Sequence, residues 1–448
     1  MMKKKLLAAV LTLTMLLGLM PMTAFTADTG KAIQLDTSGI SGYTAAAGYD
    51  YIYMGSYDSK PIKWRVLDTK TNMDNATEGD GLFLLSEVLL GKESEEWGGI
   101  YFNPHEGSDN EWKNSNAQAW CKDFAGIAGD KVADAFSGPE LGAIMETTKN
   151  DEVFKSSSGI KERFLESKLD GDKVFFLSAE EAETPAYGFV NDNARIAKFG
   201  GKNGYWWLRS TVDDTRNAGC VVPGSESEPG GVVGVISREA PVAARPAFNL
   251  KPESVLFISA AEGGKIPDAG IGTISEIPAF PDTSKESGNK AWKLTLLDST
   301  RQFEVVQDNA AGKPGGTIKL EYTGATVGTN EYISVIIANN SGAQYYGRLL
   351  QPTSASGEVS LAIPSGLADG TYILNLFSEQ CNADMLTDYA SAFDTVTLTV
   401  ASGTAPAITT ASLPSGAVNT AYSQTLTATG DAPITWSVKA GSGGYPQD

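Results

Sequence analysis

Apolar and polar positions change period several times along this chain. Ile62, Trp64 and Val66 alternate with Lys63 and Arg65, the two-residue period of a strand with one buried face. Leu82 to Ser86 and Val174 to Ser178 are short apolar runs of strand length, which predicts two central strands of a sheet. A helical period follows three capping signals: Ser115 with Gln118, Ser137 with Glu140, and Ser178 with Glu181. In this box each side chain satisfies a backbone donor at the other's position. Behind the first cap, Ala117, Trp120, Cys121 and Phe124 fall on one helical face; behind the second, Leu141, Ile144 and Met145 do the same. These faces read as core.

Further along, the period returns to two. Trp292 to Leu297, Thr317 to Tyr322, Tyr332 to Ala338, Val359 to Ile363, Thr371 to Phe377 and Val396 to Val400 are alternating segments separated by turns rich in Gly, Asn, Asp and Pro. That pattern predicts an antiparallel sandwich. Leu367-Ala-Asp-Gly-Thr-Tyr372 resembles the corner before a late strand in immunoglobulin-like modules. After a composition break at Ala401 to Pro406, Leu413-Pro-Ser-Gly416, Tyr422-Ser and Trp436-Ser-Val438 resemble the opening half of a bacterial immunoglobulin repeat.

The organisation predicted is therefore a multidomain chain: a signal peptide over 1–27, an α+β domain over 43–258, a linker over 259–290, an all-β immunoglobulin-like sandwich over 291–402, and a truncated immunoglobulin repeat, a partial second β-sandwich, over 403–448. The signal peptide rests on Lys3, Lys4 and Lys5 followed by an apolar run from Leu6 to Leu19 and small residues to Ala27. The run is shorter than the about 20 apolar residues needed to span a bilayer. Secretion to the outside or to the cell surface is expected, with no membrane insertion after cleavage.

Charge narrows the partners. Removing the three lysines of the leader leaves 32 basic residues against 54 acidic ones, a balance of −22. Nucleic acid is an unfavourable partner, because binding it needs positive surface against phosphate. The three cysteines, Cys121, Cys220 and Cys381, are too few for a disulfide scaffold. One bridge between Cys121 and Cys220 stays open beside the reading of all three as buried small hydrophobes.

The block from Gly204 to Leu250 carries the functional candidates. It opens as Gly-Tyr-Trp-Trp-Leu-Arg-Ser and closes as Ala-Arg-Pro-Ala-Phe-Asn-Leu, two apolar anchors around a polar, glycine-rich excursion. Neighbouring strand side chains point to opposite faces, so Trp206 and Trp207 either pack on both sides of a sheet or offer one ring as an aromatic platform for a sugar or peptide. Arg209 and Arg245 flank the excursion and are expected to clamp its base through paired bonds to carboxylates, with Asp213, Asp214 and Glu239 nearest in sequence. Between them Asp213, Asp214, Arg216, Asn217, Glu226 and Arg238 are the candidate ligand-binding residues.

Candidate chemistry is sparse. The single histidine, His105, removes multi-histidine zinc sites and most triads. Cys220 has no near partner for the two-cysteine site of formylglycine-generating enzymes. Calcium needs a converging set of short oxygens, which neither Asp170-Gly-Asp172 nor Asn191-Asp-Asn193 completes. No metal, cofactor or catalytic residue is assigned. Carboxylates are numerous enough for a glycosidase pair, but that needs a separation of about 5 Å or 6.5 to 9.5 Å.

Over 43–258 the chain resembles the domain-of-unknown-function family numbered 6273. The resemblance is carried by Tyr53-Met-Gly-Ser-Tyr57, Ile62-Lys-Trp-Arg-Val-Leu-Asp68, Trp112-Lys-Asn-Ser115, Phe175-Phe-Leu-Ser178, Tyr205-Trp-Trp-Leu-Arg-Ser210 and Arg245-Pro-Ala-Phe248. The frame from Trp-x-Arg-Ser to Arg-Pro is also similar to C-type-lectin-like folds, in which the stretch between the anchors faces the ligand. That likeness implies a lectin-like α+β domain on immunoglobulin-like stalk modules: a non-catalytic binding or adhesion protein directed at an extracellular glycan or surface protein. A secreted carboxylate-dependent, glycan-directed hydrolase and a purely structural surface component are the alternatives.

Overall fold

The computed structural model describes residues 30–92, 94, 98–104, 109–127, 135–157, 163–224, 230–265, 270–280, 289–403, 406–430 and 434–436. The expected leader, His105 and Glu226 lie outside the described residues. The chain is mostly β, with few and short helices. Among the described residues no helix is long and apolar enough to cross a membrane.

The alternating segment near residue 60 forms a hairpin: Tyr51–Tyr57 pairs antiparallel with Lys60–Asp68. Ile62, Trp64 and Val66 are buried, as the alternation predicts. Leu82–Ser86 is buried along its whole length because Lys60–Asp68 covers one edge and Pro246–Leu250 the other. The second apolar run yields only a two-residue strand, Phe175–Phe176, at the end of this sheet. Ser178 stops it by turning to cap the short helix Ala179–Ala182, where the box with Glu181 is complete. The box of Ser137 with Glu140 also forms, but that helix, Gly138–Ala143, ends before Ile144 and Met145. Ile144 is buried as the bridge partner of Leu250 instead.

Over these strands lies an aromatic cluster. Trp64 meets Phe248 edge-on at 4.6 Å and stacks on Phe136 at 6.0 Å. Phe136 in turn meets Phe124 of the helix Asn116–Phe124 at 5.6 Å. Each such pair adds about 0.5–1.5 kcal/mol beyond the area it buries.

The described residues of the stretch expected to be a linker, 259–290, are built into the fold. Residues to Ala260 finish the strand Val255–Ala260, and Ile274–Glu276 pairs with Gly342–Leu350, leaving Ile277 buried. Its small and turn-forming residues hide short strands whose partners, far off in sequence, supply the backbone bonds. The next strand, Ala291–Leu297, runs parallel to both Tyr51–Tyr57 and Asp388–Ala390 and antiparallel to Val255–Ala260. One sheet thus passes from the first region into the second.

In the second region Glu331–Asn339, Gly342–Leu350, Gly370–Gln380 and Asp394–Val400 continue that sheet, and Glu304–Val305, Thr317–Thr323 and Gly357–Ala362 form a separate one. Between them Leu320, Val335, Leu361, Leu374 and Leu398 share one apolar core. Tyr372 braces a corner by donating from its hydroxyl to the Ala368 carbonyl at 3.1 Å. In the last segment Ala407–Ile408 pairs with Ala428–Thr429, and Val418, Tyr422 and Trp436 stand exposed.

Candidate functional site

The block bracketed by the two apolar anchors is a small sheet. Trp206–Trp207 pairs with Asn217–Val222, which pairs with Val232–Ser237. Trp206 and Trp207 are both 0 % exposed, so neither is a platform for ligand. Their indole N–H groups donate to the carbonyls of Arg195 (3.1 Å) and Ile100 (2.8 Å), and Trp207 packs edge-on against Phe102. Both faces of this strand are covered, and the rings serve as core.

Arg238 is not displayed to a ligand either. It is buried, and its guanidinium donates to the Asn103 carbonyl, while its own carbonyl accepts from Phe102 and Asn103 N–H groups at 3.1 and 3.2 Å. It ties the block to the neighbouring chain. Asp213, Asp214 and Arg216 are exposed and Asn217 is half-buried. Arg216 pairs with Asp214 at 3.0 Å, and Asn217 donates to the same carboxylate. The buried Asn110 amide holds this turn by donating to the carbonyls of Val212 and Asn217, each at 2.8 Å.

Arg209 is fully buried, but its partners are not the neighbouring acids. Its fork takes both oxygens of Asp151 (2.9 and 2.8 Å), and it donates to Glu181 (2.7 Å) and the Phe176 carbonyl. Lys149 closes the set at 2.8 Å from Glu181. Asn72 also donates to Glu181, and Asn249, from the second anchor, donates to Asn72 (2.7 Å). The two anchors are thereby joined through one carboxylate. Burial alone would raise the Glu181 carboxyl, yet Arg209 and Lys149 outweigh it and hold it far below the usual range. For Arg209 burial works against the charge, and Asp151 with Glu181 reverses that, keeping the guanidinium above its ordinary value.

Arg245 departs from the expectation of a carboxylate clamp. It donates to the carbonyls of Ser86 (3.0 Å) and Arg195 (3.4 Å), lies over the Trp206 ring at 5.0 Å, and forms no ion pair among the described residues. Burial first, and then the nearby Arg65, bring its pKa down to about 9.

Beside the Arg209 network opens a cleft of about 530 Å³ that sequence reasoning did not single out. It lies between the start of the helix Asn116–Phe124 and the hairpin of Thr147–Asp151 with Ser167–Asp172. Its walls carry the carboxyls of Glu111, Asp151, Glu152, Glu166, Asp170 and Asp172 against the ammoniums of Lys113, Lys122 and Lys168. From the block of candidates only Thr211 reaches it. Its base is fixed: Asp151 is held by Arg209 and by the Ser167 hydroxyl (2.9 Å), and Asp172 by the Gln118 amide (2.7 Å). Gln118 is therefore not the reciprocal half of the first capping box. Its backbone N–H is capped by Ser115, but its side chain reaches Asp172 and the Asn114 N–H. The signal in the sequence was the pair Asp170-Gly-Asp172; nothing local marked Asp151, an acid at the end of a short polar strand.

Among the described residues, Glu379, Cys381 and Asp388 are the group of ligand atoms near enough to share a metal ion. A cation is already there. Lys265 lies 2.6 Å from Glu379 and 2.8 Å from Asp388, and Lys293 lies 2.9 Å from Asp388. Burial would lower the Lys265 ammonium, but Asp388 and Glu379 keep it well above its usual range, while burial and then Glu379 push the Cys381 thiol up to about 11. A protonated thiol beside a resident ammonium is a poor metal ligand. Cys121 and Cys220 are both free and buried, and burial raises both thiols well above the ordinary range.

Comparison with curated proteins gives no match. Within the span where the resemblance was read, and over the cleft walls and the partners that hold Arg209, residues 79–252 match the family model described as Domain of unknown function (DUF6273).

Proposed function

We propose that the chain is a secreted or cell-surface binding protein, in which a lectin-like α+β domain presents a recognition cleft on an immunoglobulin-like stalk, without catalysis. The observation that carries this reading is the cleft beside Arg209: polar, open, and built on acceptors locked by a buried ion network. Pre-set polar groups over a rigid base suit recognition, since little ordering remains to be done on binding. The braced corner at Tyr372 and the two facing sheets support the stalk assignment. Relocating the ligand from the exposed turn at Asp213, Asp214 and Arg216 to the cleft is part of the proposal.

The rival is a carboxylate-dependent hydrolase, favoured by the six carboxyls in one cleft. A glycosidase acid must carry a proton, whereas Asp151, one of the two buried carboxyls of the cleft, accepts from the Arg209 fork on both oxygens. Binding of the full chain to arrayed glycans and to bacterial or host surface proteins, without release of reducing ends from the bound glycans, is the expected result. Reducing-end release abolished by Glu166→Gln or Asp170→Asn would establish the hydrolase instead.

A further inference from the structure

Two polar groups in the cleft keep hydrogen-bonding capacity that the described residues do not use: a carboxylate without a cation and an indole N–H without an acceptor. Asp172 is buried and, among the described residues, pairs with no cation; only the Gln118 amide and the Asp170 N–H (3.1 Å) donate to it. Trp112, 2 % exposed and also lining the cleft, has a buried indole N–H with no acceptor among the described residues. Its ring is pinned edge-on to Phe176 at 5.5 Å, so the unmet donor is a fixed feature. A buried donor without an acceptor is costly and is satisfied when a ligand supplies one, while a carboxylate with one bond on each oxygen still has lone pairs to accept a ligand donor.

We propose that this end of the cleft is a subsite for a neutral saccharide, with Asp172 accepting from one ligand hydroxyl and Trp112 Nε1 donating to a ligand oxygen. The assignment rests on the binding reading above and deepens it. One acceptor and one donor lining the same cleft match a hydroxyl-rich ligand, which offers both. An amine offers donors alone and would leave Trp112 unmet. A carboxylate-bearing or sulfated sugar would meet Trp112 but be repelled by Asp172 and by exposed Glu166 at the rim. Lys113 and Lys168, at 3.7 and 3.8 Å, offset Asp170, so the repelling charges are those of buried Asp172 and exposed Glu166.

The test is an array of neutral oligosaccharides and their uronate-bearing counterparts probed with the full chain, followed by titration of the strongest neutral binder. Neutral sugars are expected to bind and uronates to fail. Asp172→Asn should weaken binding about tenfold or more, as loss of a bond to a charged acceptor does, and Trp112→Phe by roughly threefold to tenfold. Should either variant unfold, Glu166→Lys with Asp170→Lys, both at exposed positions, should admit the uronates. Preference for uronates in the natural chain, or no effect of the rim pair, overturns the subsite. So does glycan binding lost only in an Asp213, Asp214 and Arg216 variant, although binding as such would then stand. Protein ligands without any glycan would refute the saccharide while keeping the recognition reading; no ligand of either kind refutes both.

Discussion

Arg209 and Arg245 stand at the two ends of one block, both wholly buried, and the protein treats them in opposite ways. Arg209 is matched by two carboxylates brought from 58 and 28 residues away. Arg245 has carbonyls and an aromatic ring, with one of its terminal nitrogens unsatisfied among the described residues. A paired buried cation is a lock whose removal strands its partners, while an unpaired one is a standing cost relieved in part by removing it. The first sits beside the cleft and fixes its base; the second only closes a wall of core.

The largest effect is expected where the lock is broken. Arg209→Met leaves Asp151 and Glu181 buried with Lys149 alone and should cost about 3–5 kcal/mol in urea unfolding. A loss under about 1 kcal/mol would show that the network adds nothing. Lys265→Met tests a second lock, between the segment after Ala260 and the strands carrying Glu379 and Asp388. Its cost should be somewhat less, about 2–4 kcal/mol, because Lys293 still holds Asp388 and the Ser334 and Tyr346 hydroxyls still donate to Glu379. If the two regions melt separately in that variant but together in the natural chain, this cluster couples them.

Acid should reveal the same contrast. Glu181 and Glu379 are buried but held below the usual carboxyl range by their cations. Each contributes stability that is full above the unfolded value of about 4.3 and fades as pH falls below it, because the unfolded chain then binds the proton first. Glu181→Gln should flatten the acid limb of the stability curve, and an unchanged limb would place the sensitivity elsewhere. Arg245→Met, by comparison, should move stability by no more than about 1 kcal/mol, two modest hydrogen bonds being offset by relief of burial. Its difference from the natural chain should shift in the natural chain's favour as pH rises through about 9, where folded Arg245 begins to lose its proton before the unfolded chain does.

How far the sequence showed this depends on whether the signal was local. The alternation at Ile62, Trp64 and Val66 and the caps at Ser137 and Ser178 are local, and each appears where expected. Arg209 was legible as a clamp, but Asp151 was not, since its partner lies across the fold and its own strand is polar. The linker reading of 259–290 failed for a related reason: Ile274–Glu276 is too short to show a period, and only its register with Gly342–Leu350 makes it a strand. Gln118 misled through its own motif, a cap signal whose side chain was claimed by Asp172. The cleft was invisible because its walls come from four separate segments.

The smallest effect on stability belongs to the turn first singled out for recognition, and that makes it the sharpest control. Arg216 is 85 % exposed and its pair with Asp214 stands in solvent, where screening and side-chain entropy cancel most of the attraction. The turn is held from beneath by Asn110 through backbone carbonyls, which survive any change of these side chains. Asp213→Ala, Asp214→Ala and Arg216→Ala together should therefore leave the melting temperature unchanged within error. A ligand seated in the cleft should bind this variant as it binds the natural chain. Lost binding at unchanged melting temperature would return recognition to the turn, because no loss of folding could then explain it.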